Sequence, residues 1–187
     1  KAQMMSFLLE TKKGGLIVVD GGWWDDADYL KEQIKKRGSH VSAWFLTHAH
    51  TDHVGALLNL LQSEADGEDT GITIDHIYYN FASLDWYKKH ELGDLGTADA
   101  ILTALAGLPN GEACPVKKGD EILVDDVCIT VLNDRYEPDD DHVGERDGND
   151  ASMVYRMLVN GVTILFTGDL QVAGGNHVLE TVAKEDL

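Results

Sequence analysis

The stretch THAHTDHVGA, residues 47–56, constrains this 187-residue chain more than any other. It follows an apolar run at residues 41–46 and leads into apolar residues at helical spacing over 54–65. The segment therefore reads as strand, turn and helix, with His48, His50, Asp52 and His53 at the turn. Residues two apart in an extended segment face the same way, so His48 and His50 can present imidazoles to one point. Asp52 and His53 stand at the helix entrance, where the turning backbone can aim them at a second point nearby. Imidazole nitrogen and carboxylate oxygen are the ligands zinc takes at hydrolytic sites, and manganese and iron accept the same set. Shuffling this composition would produce HxHxDH about once in a thousand sequences or fewer, so coincidence explains the cluster poorly. Asp52 alone carries less weight, because an aspartate before a helix is an ordinary cap.

The rest of the chain alternates strands and helices and then turns to strands. Residues 4–10 and 16–20, joined by KKGG, read as a hairpin buried on both faces, and Gly21 and Gly22 end it. Asp25 or Asp26 caps a helix running to Arg37 with the stripe Ala27, Leu30 and Ile34. A strand is expected at 72–80 and helices at 84–90 and 97–108. Beyond Glu121 come strands at 122–124, 127–132, 151–159 and 162–168, with Asp125-Asp126 and Asn160-Gly161 as hairpin turns, and a helix from about Asn176. Residues 134–150 are acidic and lack apolar periodicity, and they read as an exposed, mobile loop. No repeat or linker divides the chain, so residues 1–187 form a single domain with two β-rich layers and helices outside.

Composition narrows the partners. Thirty-three acidic residues against 15 basic ones give a formal charge of −18, which disfavours a grip on long nucleic acid and favours a small-molecule or phosphoester substrate. Cys114 and Cys128 are too few for a disulfide framework and lack the spacing of a thiolate zinc site. No window has the roughly 18–20 apolar residues of a membrane span. Cytoplasmic and exported locations both fit, and oligomeric state is not encoded legibly.

Two further signals come from strand ends. VTILFTGDL carries Asp169 past an apolar strand, where a carboxylate from the other half of the chain could bridge two cations. VVDGG carries Asp20, which could orient a ligating histidine from behind, although both aspartates also suit plain turns. Trp23 and Trp24, next to DGG, could line the mouth of a cleft and stack on a base or a quaternary ammonium group.

Together, DGG at 20–22, THAHTDHVGA at 47–56 and FTGDL at 166–170 resemble the metallo-β-lactamase-fold hydrolases, in order and spacing, over nearly the whole chain. Residues 149–170, NDASMVYRMLVNGVTILFTGDL, resemble the branch with the hydrolase domain of DNA-uptake competence proteins and phosphorylcholine esterases. The resemblance implies an αββα four-layer sandwich, a mixed α/β fold with a binuclear site at one edge. It implies His48 and His50 on one divalent metal, Asp52 and His53 on the other, and Asp169 bridging. Zinc is the expected metal, with manganese or iron as alternatives. Asn149 and Ser152 match the branch pattern, as substrate contacts or as loop-holding residues. Many members add a third histidine to the first metal. The interval here offers His76, His90 and His142, none in a matching motif, though His142 stands in the right kind of loop. The family's last histidine lies on a strand well after the bridging aspartate. His177 comes too early for it, so the expectation is a fragment whose C-terminal part is incomplete and lacks that strand.

The implied chemistry is hydrolysis of a phosphodiester or related ester by a metal-held hydroxide, with Asp52 as catalytic residue orienting it and relaying its proton. Two alternatives compete. One is a catalytically impaired relative that keeps the fold, with or without one ion, as a structural or interaction domain. The other is a di-iron oxidoreductase on the same fold, for which the sequence shows no flavin or rubredoxin element.

Overall fold

The computed structural model describes residues 4–137 and 148–184. Strands β1 (Phe7–Glu10) and β2 (Leu16–Val19) form the expected antiparallel hairpin. A 3-10 turn at Trp24–Asp26 leads into α1 (Ala27–Lys35), which buries the anticipated stripe of Ala27, Leu30 and Ile34. The apolar run after it serves two sheets. β3 (His40–Val41) pairs with β5 (Thr73–Ile74), whereas β4 (Ala43–Phe45) lies between β2 and β6 (His76–Tyr79). The expected strand at 72–80 is thus two strands in two sheets, a break that hydrophobic periodicity does not register.

Between these strands runs α2 (Thr51–Ala65), which begins three residues before the predicted start and takes Asp52 and His53 into its first turn. Helix α3 (Leu84–His90) opens on Ser83, whose hydroxyl accepts from the Trp86 N–H. Helix α4 (Leu95–Ala106) follows a short connection. The edge strand β7 (Glu112–Pro115) escaped prediction because EACP carries no β pattern; its pairing with β6 comes from the tertiary fold. The second half forms a meander of β8 (Glu121–Val124), β9 (Val127–Val131), β10 (Tyr155–Val159) and β11 (Val162–Phe166). Asn160 and Gly161 both have positive φ, which the two-residue β10–β11 turn requires. Residues 151–154, read as strand, instead leave a 3-10 turn at Gly148–Ala151, and α5 (Val172–Thr181) starts four residues early. Asp150 explains both changes: its buried carboxylate accepts from the backbone N–H groups of Gln171 and Gly174, caps α5 and pins the turn. This end of the predicted acidic loop is therefore buried, and most of that loop lies outside the described residues.

Two sheets stack face to face, ordered β1-β2-β4-β6-β7 and β11-β10-β9-β8. Alternation along β2 and β4 sorts their side chains between two cores. Leu16, Val18 and Trp44 point to the layer of α1 to α4, while Ile17, Val19, Ala43 and Phe45 meet Val127, Ile129, Tyr155 and Met157 of the other sheet. Val178 and Val182 close the far side on Leu132 and Val154. The layers are helix, sheet, sheet, helix, as expected. No helix among the described residues is long and apolar enough to cross a membrane.

Close packing fixes α2 on the loop after β2. A Cβ at Gly55 would lie 2.5 Å from the Trp24 nitrogen and 2.9 Å from the Trp23 carbonyl carbon. Gly55→Ala should therefore destabilise the chain by about 1–3 kcal/mol, measured by urea unfolding; an unchanged midpoint would show that this contact gives way freely.

Candidate metal centre

β2 and β4 run parallel, so their carboxyl ends open at one rim, and the first turn of α2 returns to the same place. The DGG segment is built for this junction. Asp20 adopts a positive φ of 55°, a conformation aspartate tolerates, and is buried. Gly21 donates its N–H to the His53 carbonyl, and Gly22 accepts from Ala56. A Cβ at Gly21 would stand 3.1 Å from the Leu57 nitrogen. The glycines let the backbone lie directly against the helix.

Asp20 then holds the floor of the site. Its carboxylate accepts from the Thr47 N–H at 2.9 Å, from the Thr47 hydroxyl at 2.9 Å and from His53 Nδ1 at 2.8 Å. Burial raises its pKa, while His53 and Thr47 pull the other way. Burial also pushes His53 down, yet Asp20, Asp169 and Asp52 together lift it above the ordinary imidazole value. With its proton fixed on Nδ1 by Asp20, His53 turns the Nε2 lone pair towards the rim. His48 reaches a similar state by another route. Its Nδ1 lies 3.1 Å from the Thr47 hydroxyl and 3.2 Å from the Ser152 hydroxyl. Burial first, then neighbouring His53 and His50, hold its pKa well below the usual value, so it is neutral at pH 7.

Asp169 arrives from the second sheet. Gly168, at φ +53°, passes so close that a Cβ would stand 2.6 Å from Ser152 Oγ and 2.8 Å from Thr47 Cβ. Ser152 also accepts the Asp169 N–H at 3.3 Å, so one hydroxyl ties His48 to Asp169. Asp169 Oδ1 stands 3.4 Å from His53 Nε2, and ligand atoms of His48, His53 and Asp169 lie within 4.8 Å of one another. Asp52 Oδ2 is 3.8 Å from His53 Nε2.

His50 turns elsewhere. It is the N-cap of α2, and its Nε2 lies 3.2 Å from Glu91 Oε1, while His50, Glu91 and Asp94 form a second group of converging ligand atoms within 4.8 Å. The two groups adjoin, since the His48 and His50 rings are 4.5 Å apart. Asn149 presents its side chain to His48 from the 3-10 turn. Trp23 and Trp24 are 36% and 40% exposed beside α2. His142 lies outside the described residues, and His177 stacks on Tyr136 away from both groups. Sequence reasoning missed Thr47, Asp150, Glu91 and Asp94. Only Thr47 had a local signal, as the residue between strand and first histidine.

The donor set suits divalent cations. The Nε2 atoms of His48 and His53 are buried and form no hydrogen bond among the described residues, an arrangement that costs about 1–3 kcal/mol per group unless something binds there. Asp20→Ala should weaken metal binding by about 10–100-fold, because it frees the tautomer and orientation of His53; titration with zinc and a competing chelator checks this, and an unaltered affinity would exclude the role.

Stacked sheets between helices, with imidazoles and carboxylates meeting at the strand ends, define an αββα sandwich of metal-site type. The chain belongs to the metallo-beta-lactamase superfamily, whose family model matches residues 3–183. A metallo-beta-lactamase with a HARLDQ motif from Cronobacter sakazakii is similar in fold, with TM-score 0.55 and 18% identity over 98% of this chain and 64% of that one. The subclass B3 metallo-beta-lactamase BJP-1 of Bradyrhizobium japonicum gives 0.53 and 18%, over 95% of this chain and 65% of that one. A stretch of 57 residues is 40% identical to a UPF0173 metal-dependent hydrolase of Herpetosiphon aurantiacus, covering 30% of this chain and 23% of the relative. The chain spans less than two thirds of the length of these proteins.

Proposed function

We propose that this chain is a metal-dependent hydrolase that cleaves a phosphodiester of a small molecule, using two divalent cations with zinc as the expected metal. The observation that carries this is the convergence of His48, His53 and Asp169 from three elements, with Asp20 fixing His53 from behind. Bound there, the cations would lower the pKa of water towards about 7 and offset charge on the attacked ester.

The chain's own residues supply the rest. Asp20 keeps the proton of His53 on Nδ1, and Thr47 and Ser152 engage Nδ1 of His48, so both Nε2 lone pairs stay available as ligands. Asp169, joined to Ser152 through its N–H, would help hold the cations from the side of the second sheet. Asp52, partly exposed at the helix start, orients the attacking water and accepts its proton. Asn149, whose side chain reaches His48, and the exposed Trp23 would meet the substrate. The likeness of residues 149–170 to the competence-protein and phosphorylcholine esterase branch favours a phosphoester, and the net charge of −18 favours a small or zwitterionic one over a long polyanion.

The test is turnover of bis(4-nitrophenyl) phosphate beside 4-nitrophenyl acetate and a lactone. Hydrolysis of the phosphodiester that stops on chelation and returns with zinc or manganese is expected. Faster turnover of the carboxylic ester or the lactone would overturn the phosphoester assignment, and metal-independent turnover would overturn the mechanism.

A further inference from the structure

We infer that the groove between the carboxyl-terminal halves of α2 and α4 is a second ligand site, which takes a small organic cation with an apolar body, such as an arylalkylammonium ion. It lies apart from the metal centre. That centre gathers at the first turn of α2, whereas the groove begins at Leu61, eight residues beyond His53 and about 12 Å along the helix axis. Nothing in the metal-dependent reading assigns or requires it.

Three features define it. The first is space. The two helices meet near their amino ends, where the Thr51 and Thr97 hydroxyls are 3.0 Å apart. Further along, a cavity of about 460 Å³ opens between them, within the span of about 300–1,000 Å³ usual for small-molecule sites. The second is the wall. Leu61 and Ala65 on α2, Ala100 and Ala104 on α4 and Leu108 just beyond it line the groove, and the short alanines leave the space open. A smaller recess shares Leu61 and Leu108 and carries the apolar surface on to Ile72 and Ile74. The third is charge. Asp99 is the one formally charged side chain lining the larger cavity, and its carboxylate makes no ion pair among the described residues.

That charge selects the ligand, and the helix ends reinforce it. Neither α2 nor α4 carries a basic residue in its last turn. Both carboxyl ends border the groove, through Ala65 and Gly107. The last carbonyls of a helix hold the negative end of its dipole, which lysine, arginine or histidine ordinarily offsets. Here the offset is left to whatever enters the groove. The chain's net charge of −18 also draws cations from solution. An anion is repelled by all of these groups, and an uncharged apolar molecule gains only the wall. An ammonium head towards Asp99, in the field of the two helix ends, with an aryl or alkyl body against Leu61 and Ala104, uses both.

The experiment follows backbone amide shifts of the isotope-labelled 187-residue chain by NMR as 4-phenylbutylamine, 4-phenylbutanol or 4-phenylbutanoate is added at pH 7. The amine should shift residues 61–65 and 99–108 saturably, with a dissociation constant of about 1 mM. It should bind about three- to tenfold more tightly than the alcohol, and the butanoate should be the weakest of the three. Raised salt should shrink the amine's advantage. Asp99→Asn, on the exposed side of α4, should reduce that advantage several-fold and leave the alcohol unchanged, while Ala104→Phe, which fills the groove, should weaken both. Equal affinity of the unaltered chain for amine and alcohol would overturn the cation assignment. No saturable shift at these residues, or shifts confined to the rim around His48 and His53, would overturn the site itself, and neither result depends on a variant that folds.

Discussion

Asp169→Asn should lower metal-dependent phosphodiester turnover by about a thousandfold or more, the equivalent of about 4 kcal/mol in the activation barrier. The carboxylate is 35% exposed at its side chain and sits 3.4 Å from His53 Nε2. Amide for carboxylate keeps the shape and removes the charge that the proposed reading assigns to cation binding. Unfolding should stay within about 1 kcal/mol of the unaltered chain, since the backbone bond from Asp169 to Ser152 persists. Loss of turnover at constant stability separates a ligand from a structural residue. Activity within tenfold of the unaltered chain would remove Asp169 from the proposed chemistry.

Phe45→Ala should cost about 3–5 kcal/mol of stability, or roughly 6–20 °C in Tm for a chain of this size. Phe45 is fully buried at the centre of the sheet-to-sheet core. Its ring stacks on Tyr78 at 4.8 Å and meets Tyr155 edge-on at 5.1 Å, contacts worth about 0.5–1.5 kcal/mol beyond area alone. The Tyr155 hydroxyl in turn donates to the Leu46 carbonyl at 2.8 Å, just before Thr47 and His48. A cavity here should therefore loosen the base of the metal centre and weaken zinc binding as well as lower Tm. Thermal unfolding and a metal titration on the same variant check both; a small Tm change would mean that the core closes over the gap.

The two-layer architecture was readable because its strands are buried on both faces. Residues 16–19 and 43–45 are apolar without alternation, which is what a sheet between two cores demands. Breaks within such runs were not readable. Ser42 and Asp75 each mark a passage from one sheet to another, and neither changes the local pattern enough to announce it. Strand β7 gave no local signal either, because an edge strand takes its hydrogen bonds from its neighbour and needs little propensity of its own.

The candidate site divides the same way. Composition and spacing alone determined that His48, His50, Asp52 and His53 crowd the strand-to-helix turn, and that Asp20 and Asp169 end strands elsewhere. Local geometry has short reach, however, and starting α2 at Thr51 changed which side chains could meet. Tertiary structure decided that His48 groups with His53 and Asp169, and that His50 turns to Glu91 and Asp94 in the connection between α3 and α4. It also decided that Ser152 joins two site residues 104 and 17 positions away. The physical reason is that a ligand set is a statement about directions in space. Sequence fixes which donors exist, but the packing of the two stacked sheets and the helices against them fixes where their lone pairs point.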